Sequence, residues 1–479
     1  MAPRTERLKR YDVEGAPAGR PGALLLGGRD RRFLASLAVL IALASGCAPL
    51  VPGAGDPERG GGASPESPRM ATVERPEPDA ELVRAWVEVA AAAPLVRVGL
   101  IRDARSVVVT ADGDFRVTVY ADSVTVFRGG PGAEWRLESE GRGLRGASGS
   151  SGFDVRAGTV RAAPEDGAFL SVDGTAYRGE VEVFLDGLGR LSVVNIIDLE
   201  SYLRGVVPLE IGPRPMRELE AVKAQAVAAR TYALASGGKR AGGDYDMHAT
   251  VADQVYGGVA VEHETSDRAV LETAGLALMR GGEPIVSYFH ANCGGRTEAR
   301  HEVWEMEGVP YLVSVWDTPG GTRDLDRVYC REGSGFEWAC EWSGSELNAL
   351  VREHLPAVSS TPVSEPPRVV TDVRVTDRTP SGRVRWLEVE TDAGTWRVYG
   401  DRCRWLLRRG GGNILRSAWF DLDVERRGGR ISRVTATGRG YGHGVGMCQH
   451  GALERARQGH AYADILSHYY MGTRVGRVY

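Results

Sequence analysis

Glycine occupies every second position from residue 438 to residue 446, in the run GRGYGHGVGMCQHGA at 438–452. Successive residues of an extended chain point to opposite sides, so one face of this segment would carry no side chains. Glycine weakens a strand, and such a pattern is kept where a ligand or another backbone approaches closely. No Lys-Ser/Thr pair follows, and the spacing differs from the three-glycine dinucleotide fingerprint. A structural strand crossing and the wall of a binding groove are both open interpretations.

The chain has 479 residues and a formal net charge of −4. That length is enough for two to three domains with sizeable cores. A slightly acidic balance gives no electrostatic case for nucleic-acid binding, and we expect no nucleic-acid partner.

The N-terminus, residues 1–47, has the pattern of a secretory signal. Three arginines precede an apolar run at 33–44, which ends in Ser45-Gly46-Cys47. The run is too short to span a bilayer as a stable helix. Cys47 stands where a bacterial lipobox places its lipidated cysteine, and ordinary cleavage nearby is the alternative. We therefore expect an exported lipoprotein of the cell envelope, on the outer membrane if the organism is Gram-negative, anchored in the membrane through Cys47.

The rest of the sequence predicts an α+β fold with a β-rich scaffold. A Pro/Gly-rich tether and a short helix occupy 48–92, and short alternating strands predict a β-rich N-terminal domain over 93–194. Residues 195–479 are predicted to form the catalytic core, with an insert near 317–368. This core is expected to hold one long alanine-rich helix, at 215–235, and two short C-terminal helices, at 452–457 and 463–470.

The segment before the alanine-rich helix holds the best candidate for acid chemistry. Glu210 lies between Leu209 and Ile211, and we expect it between an apolar strand and a turn. Partial desolvation raises a carboxyl pKa and lets the group donate a proton near neutrality. A solvated loop glutamate is the alternative.

Motifs in this part of the chain resemble those of the SpoIID/LytB family, in the right order from about residue 95 onwards. They are VPLE at 207–210, KAQAVAARTY at 223–232, QVY at 254–256, FH at 289–290, GGRT at 294–297 and GYGHGVGM at 440–447. The resemblance implies a peptidoglycan lytic transglycosylase in which Glu210 is the catalytic acid. It would cleave the β-1,4 bond between N-acetylmuramic acid and N-acetylglucosamine and leave 1,6-anhydro ends.

The same resemblance suggests roles for other residues. His443 is the second candidate for catalysis, and the glycine run becomes the wall of a glycan groove. The residues expected to bind substrate are Lys223, Gln225, Arg230, His290, Arg296, Tyr441 and Gln449. For the three on the alanine-rich helix, structural contacts are an equal alternative, and Tyr232 is interpreted as core. Trp304, Tyr469 and Tyr470 are candidates for stacking on sugars, and burial in the core is the alternative for each.

A second function is consistent with the resemblance. The chain could be a non-catalytic glycan-binding protein that activates an N-acetylmuramoyl-L-alanine amidase. Under both hypotheses the partners are peptidoglycan glycan strands, and under the second also a cell-wall amidase.

The cysteines would meet an oxidising compartment after export. Cys330 and Cys340 are close in sequence and form one candidate disulfide. Cys293 and Cys448 adjoin motifs expected to meet, and they form another. Some family members hold zinc just before the Gln-x-Tyr motif, but here Met247, Ala252 and Asp253 replace ligands. We therefore expect no metal there and no cofactor, which disfavours a metal-dependent hydrolase.

Overall fold

The computed structural model describes residues 80–120, 123–140, 143–148, 151–155, 158–236 and 244–479. The predicted signal, Cys47 and nearly all of the tether lie outside these ranges. The short helix predicted after the tether is present as α1 (Ala80–Ala92). None of the helices in the described ranges is both long and apolar enough to cross a bilayer.

The predicted β-rich N-terminal domain is a sandwich of two sheets. Its strands are β1 (Leu95–Ala104), β2 (Ser106–Ala111), β3 (Phe115–Val119), β4 (Thr125–Gly129), β5 (Trp135–Glu140), β6 (Gly143–Ser148), β7 (Ser151–Val155), β8 (Thr159–Pro164), β9 (Leu170–Val172), β10 (Thr175–Tyr177), β11 (Glu180–Leu185) and β12 (Leu191–Asp198). One sheet has the order β13-β1-β12-β11-β8-β3-β4, with β13 (Met247–His248) added from the next region, and the other has the order β10-β9-β2-β5-β6-β7. Alternating apolar residues of both sheets, such as Val109, Trp135 and Val183, pack between them.

Helix α2 (Leu199–Ile211) follows the sandwich directly and carries Glu210 in its last turn. The Asp198 carboxylate accepts a hydrogen bond from the Ser201 backbone N–H, which caps the start of the helix. The predicted strand before Glu210 is therefore wrong. The Val206-Val207-Pro208 stretch favours a strand locally, but burial of most of the helix surface outweighs that preference.

The alanine-rich helix is α3 (Leu219–Ser236), and it lies at the centre of the first large core. A 3₁₀ turn, Met216–Glu218, precedes it, because Pro215 is extended with φ −72° and ψ 157°. Helix α3 contacts α2, α4 (Glu264–Glu272), α8 (Gln449–Arg457), α9 (Tyr462–Tyr469) and β14 (Leu276–Arg280). The alanines let this many neighbours approach one helix axis.

Short elements complete this first core. They are the 3₁₀ turn Gly258–Val261, β15 (Glu283–Pro284), β16 (Phe289–His290), α5 (Arg300–Val303), the 3₁₀ turns Pro319–Gly321 and Leu325–Arg327, β23 (Met447–Cys448) and β24 (Arg474–Arg477). Strands β15, β14 and β24 form one sheet, and β16 pairs in parallel with β23. The predicted C-terminal helices are present as α8 and α9, close to their expected bounds.

A second apolar core is built from one continuous stretch of chain. It contains β17 (Glu337–Ser343), α6 (Gly344–Val358), β18 (Val370–Arg378), β19 (Val384–Thr391), β20 (Gly394–Tyr399), the 3₁₀ turns Gly400–Arg402 and Gly410–Gly412, α7 (Cys403–Leu406), β21 (Phe420–Arg427) and β22 (Arg430–Arg439). The sheets β17-β22-β21 and β18-β19-β20 enclose it. This unit, 337–439, reaches further along the chain than the insert predicted near 317–368. The chain is an α+β protein, as predicted.

Candidate active site

Glu210 occupies a partly buried position at the end of α2. Its Oε1 accepts a hydrogen bond from the Val255 backbone N–H at 3.0 Å. Burial raises the pKa of this carboxyl to about 7, and the Val255 hydrogen bond opposes the shift. Glu210 is thus partly buried, and a carboxyl with this pKa can exchange a proton near neutral pH.

The Gln254-Val255-Tyr256 motif makes hydrogen bonds to α2, to α3 and to strand β12. Gln254 donates to the Ala229 carbonyl of α3 at 3.3 Å and accepts from the Tyr202 hydroxyl at 3.3 Å. Tyr256 donates its hydroxyl proton to the Asn195 amide oxygen at 2.9 Å. These contacts hold Val255 where its N–H meets Glu210. Burial, with the charge of Glu210 nearby, raises the pKa of Tyr202 well above its ordinary value.

Asp253 is a member of this site that the sequence interpretation used only as a replaced zinc ligand. Its Oδ1 accepts from the Tyr232 hydroxyl at 3.2 Å, and its Oδ2 accepts from the His248 backbone N–H at 2.8 Å. Tyr232, interpreted as core, is only partly buried, and its ring lies 6.0 Å from that of Tyr288. Asp253 directly precedes Gln254 in the sequence, and this position next to the Gln254-Val255-Tyr256 motif could have indicated that Asp253 belongs to the site.

A patch of aromatic rings continues from Tyr232. The Trp304 ring lies 4.9 Å from Tyr288 and 5.1 Å from His443. All three rings are partly exposed, and stacking of a sugar on Trp304 stays a prediction. Tyr469 and Tyr470 are fully buried, and their predicted stacking role is wrong because no sugar can reach them.

The His443 imidazole is engaged by the main chain rather than by Glu210. Its Nδ1 accepts from the Val445 N–H at 3.0 Å, and a hydrogen bond with the Phe289 backbone supports its protonated form. Burial and the neighbouring His290 nevertheless hold the His443 pKa well below its ordinary value. No hydrogen bond joins His443 to Glu210 in the described part of the chain. A neutral, main-chain-bound imidazole fits a structural role better than the predicted catalytic one.

The three residues of α3 predicted to bind substrate all make contacts within the protein, and two of them are fully buried. Arg230 is fully buried in an ion pair with Glu200, with Nη2 2.6 Å from Oε2. Gln225 is fully buried and accepts from Gln449, a further predicted ligand, at 3.3 Å. The Lys223 ammonium pairs with Glu220 and Glu272. Substrate binding by Arg230 and Gln225 is contradicted, since neither side chain reaches solvent.

The remaining predicted ligands lie around the glycine run. Buried His290 donates through Nδ1 to the Val445 carbonyl at 3.1 Å. Arg296 donates to the Pro380 carbonyl at 2.5 Å and stacks on Trp316. Tyr441 exchanges two backbone hydrogen bonds with Asn292 and is partly exposed.

The glycines of this run pack against other parts of the protein and do not form a smooth groove wall. Gly440, Gly442, Gly444 and Gly446 all have positive φ, from +73° to +108°, so this stretch is not an extended strand. An added Cβ would lie 2.8 Å from His290 at position 442 and 2.6 Å from the Arg383 guanidinium at position 444. The predicted groove wall is wrong, because each glycine faces the protein itself.

Gly446 offers a test of this close packing. An alanine Cβ would lie 1.9 Å from the Tyr288 carbonyl oxygen, and φ is +73°. Gly459 has a φ of +87° with nothing within 4 Å. We expect both alanine variants to have a lower free energy of unfolding, because a Cβ is disfavoured at positive φ. We expect Gly446→Ala to lose about 1–3 kcal/mol more than Gly459→Ala, because its Cβ also overpacks against Tyr288. Urea unfolding measures the difference, and equal losses would show that the contact at Tyr288 relaxes freely.

The five cysteines in the described ranges are free thiols, so neither candidate disulfide is formed. Cys330 Sγ lies 3.5 Å from Cys293 Sγ, whereas Cys340 packs against the second core. Cys448 Sγ accepts from the Cys293 backbone N–H at 3.2 Å. Cys293, Cys330 and Cys448 thus lie together, and Cys340 is separate.

Comparison with known proteins identifies relatives over the region just described. The family model described as Stage II sporulation protein matches residues 188–279, and a Domain of unknown function (DUF8618) matches residues 328–446. The amidase enhancer of Bacillus subtilis is 30% identical over 64% of this chain. An uncharacterized protein of Brachyspira hyodysenteriae is 32% identical over 64% of this chain and 74% of its own length. Stage II sporulation protein D of Bacillus subtilis is 28% identical over 59% of this chain and 75% of its own length. The chain spans 44% of the amidase enhancer's length.

Proposed function

The chain belongs to the SpoIID/LytB family, and on this basis we propose that it is a peptidoglycan lytic transglycosylase with Glu210 as its general acid and base. The observation that carries the proposal is the partly buried Glu210 carboxyl. Its pKa of about 7 suits a group that first donates a proton as an acid and then accepts one as a base. A group that gives and then takes back a proton works best when its pKa is near the working pH.

The proposed reaction uses no water. Protonated Glu210 donates its proton to the β-1,4 glycosidic oxygen as the bond from that oxygen to C1 of N-acetylmuramic acid breaks. The C6 hydroxyl of the same sugar attacks C1, and its proton passes to the Glu210 carboxylate. The acid is regenerated, and the product ends in a 1,6-anhydro ring. Hydrolytic glycosidases need a second carboxylate to activate water or to act as nucleophile.

The surroundings of Glu210 support this assignment. Both oxygens of Asp253 accept hydrogen bonds from Tyr232 and His248, which suits a positioning role for Asp253. The partly exposed ring of Trp304, with Tyr288 beside it, offers a face for a pyranose ring. These features would orient the glycan, and orientation supplies much of the rate enhancement that acid–base chemistry does not.

The second candidate function is enhancement of a cell-wall amidase. It is favoured by the relative named amidase enhancer, which is 30% identical to this chain over the matched region. In that case Glu210 would contact a sugar without transferring protons. Under both candidates we propose export through residues 1–47 and anchoring at Cys47, which the basic and apolar pattern of the N-terminus supports.

Digestion of purified peptidoglycan sacculi by the full chain tests the two candidates. We expect soluble fragments with 1,6-anhydro-N-acetylmuramic acid ends by mass spectrometry, and we expect Glu210→Gln to release them at least about a hundredfold more slowly. Fragments with ordinary reducing ends would instead indicate hydrolysis. Intact strands, together with sedimentation of the protein with sacculi and faster amidase cleavage, would favour the enhancer and contradict the transglycosylase.

A further inference from the structure

Four buried side chains from distant parts of the sequence meet beside the glycine run. They are Cys293, Asp317, Cys330 and Cys448, and their sulfur and carboxylate oxygen atoms all lie within 4.8 Å of one another. Cys293 Sγ is 3.5 Å from Cys330 Sγ and 3.4 Å from Asp317 Oδ2. We call this set the Cys₃Asp cluster.

The two contacts of Cys293 Sγ, at 3.5 Å to Cys330 Sγ and 3.4 Å to Asp317 Oδ2, fit ligands of a shared metal ion better than a disulfide. Zinc–sulfur bonds of about 2.3 Å and zinc–oxygen bonds of about 2.0–2.2 Å place tetrahedral ligands roughly 3.5–3.8 Å apart. A disulfide needs sulfurs about 2.05 Å apart and would use only two of the three thiols. A third thiol and a carboxylate would then be buried beside it.

The outer contacts orient the ligand atoms as a metal site requires. Asp317 Oδ1 accepts from the Tyr469 hydroxyl at 2.8 Å and from Arg455 at 3.3 Å, which leaves Oδ2 turned towards Cys293. Cys448 Sγ accepts backbone N–H bonds from Cys293 at 3.2 Å and from Gly451 at 3.4 Å. Such outer hydrogen bonds fix ligand orientation in metal sites, and N–H donors stabilise a thiolate.

We propose that the Cys₃Asp cluster binds one zinc ion in a closed, four-coordinate structural site. Three thiolates are the soft ligands that zinc favours, and the carboxylate oxygen completes the tetrahedron. The thiol protons pass to solvent as the three zinc–sulfur bonds form. Burial of all four ligands leaves no open position for substrate, so the ion stabilises the fold and does not take part in the reaction.

The ion would join segments that surround the glycine run. Cys293 precedes the Gly294-Gly295 turn, Asp317 and Cys330 lie in the following loops, and Cys448 is the N-cap residue of α8. This position differs from the one before Gln254 at which zinc ligands are replaced in this chain. Because the four ligands meet only in the folded chain, the free energy of metal binding would add to the stability of the fold and would hold His290 and Tyr288 in place.

Elemental analysis of the full chain, purified without chelator from a zinc-supplemented culture, tests the proposal. We expect about one zinc per chain, lost in Cys330→Ser and Asp317→Asn but kept in the control Cys340→Ser, whose thiol lies outside the cluster. Exchange of the wild-type protein with Co²⁺ should give the thiolate-to-cobalt charge-transfer band and the visible bands of tetrahedral cobalt. Because the cobalt measurement uses the wild-type protein, it tests for metal binding by thiolates even if the cluster variants fail to fold.

Two results would overturn the proposal. One is wild-type protein that holds less than about a tenth of a zinc per chain and shows no cobalt–thiolate band. The other is peptide mapping without reductant that finds any two of Cys293, Cys330 and Cys448 joined as a disulfide.

Discussion

Replacing Glu210 by glutamine is expected to slow glycan cleavage by a factor of about 10²–10⁴ or more. Glutamine keeps the size of the side chain and can still meet the Val255 N–H, but it has no proton to give and no charge to accept one. The initial rate of anhydro-end release from sacculi measures the loss. Glu264→Gln, the same change at an exposed residue of α4, should leave the rate unchanged. A Glu210→Gln enzyme with near wild-type rate would remove Glu210 from the chemistry.

The raised pKa of Glu210 also fixes the direction of the pH dependence. The proton donor must be protonated, so the activity should fall about tenfold per pH unit above pH 7. The folded-state pKa of about 7 exceeds the ordinary 4.5, so protonation favours the folded state. Burying the ionised Glu210 carboxylate lowers the free energy of unfolding. This cost is absent below pH 4.5, grows as the pH rises, and is fully present above pH 7. Glu210→Gln should be more stable than wild type by on the order of 3 kcal/mol at pH 8, and equally stable at pH 4.

Replacing Arg230 by methionine is expected to lower the free energy of unfolding by about 3–5 kcal/mol. The two Arg230–Glu200 hydrogen bonds, at 2.8 and 2.6 Å, lie where neither side chain is exposed. Glu200 also accepts from the Gly275 N–H at 2.9 Å and the Tyr479 hydroxyl at 2.5 Å, so removing arginine leaves a buried charge that still receives hydrogen bonds. Urea unfolding at pH 7 measures the loss.

The same helix supplies a matched control for Arg230. Lys223 pairs with Glu220 and Glu272, but these two carboxylates are about one-third exposed. Lys223→Met should therefore cost no more than about 1 kcal/mol. If both substitutions had equal effects, the buried pair would contribute no more than a surface pair. Adding Glu200→Gln to Arg230→Met should recover part of the loss, because the buried charge is then removed.

Patterns that repeat along one element were predictable from the sequence. The alternating strands of the sandwich, the alanine-rich helix and the two C-terminal helices all follow from spacing, because one face of each element must be buried. The Glu210 helix was missed because Val206, Val207 and Pro208 favour a strand locally, whereas the Asp198 cap and burial on most sides decide the outcome.

Contacts between distant segments were not predictable in the same way. The sequence indicates that Arg230, Gln225 and Gln449 are polar, but only the packing of α2, α3 and α8 shows that they face inwards. Strand geometry alone predicts an extended glycine run, whereas the glycines at 440–446 have positive φ and pack against residues 288–294 and Arg383. The Cys₃Asp cluster needs three loops and a helix start to meet, and no short motif encodes it.

The arrangement of the two apolar cores along the chain limits which parts can fold before the whole chain is available. The second core lies wholly within residues 338–436, whereas the core that holds α2 and α3 also needs residues 445–470. Strand β24 pairs with β14, which was made about two hundred residues earlier. Closing so long a loop is entropically costly. The second core lies within this loop, so once it has folded the flexible chain between β14 and β24 is shorter. The sandwich and the second core can thus fold while α8 and α9 are still missing, and the first core is the last to be completed.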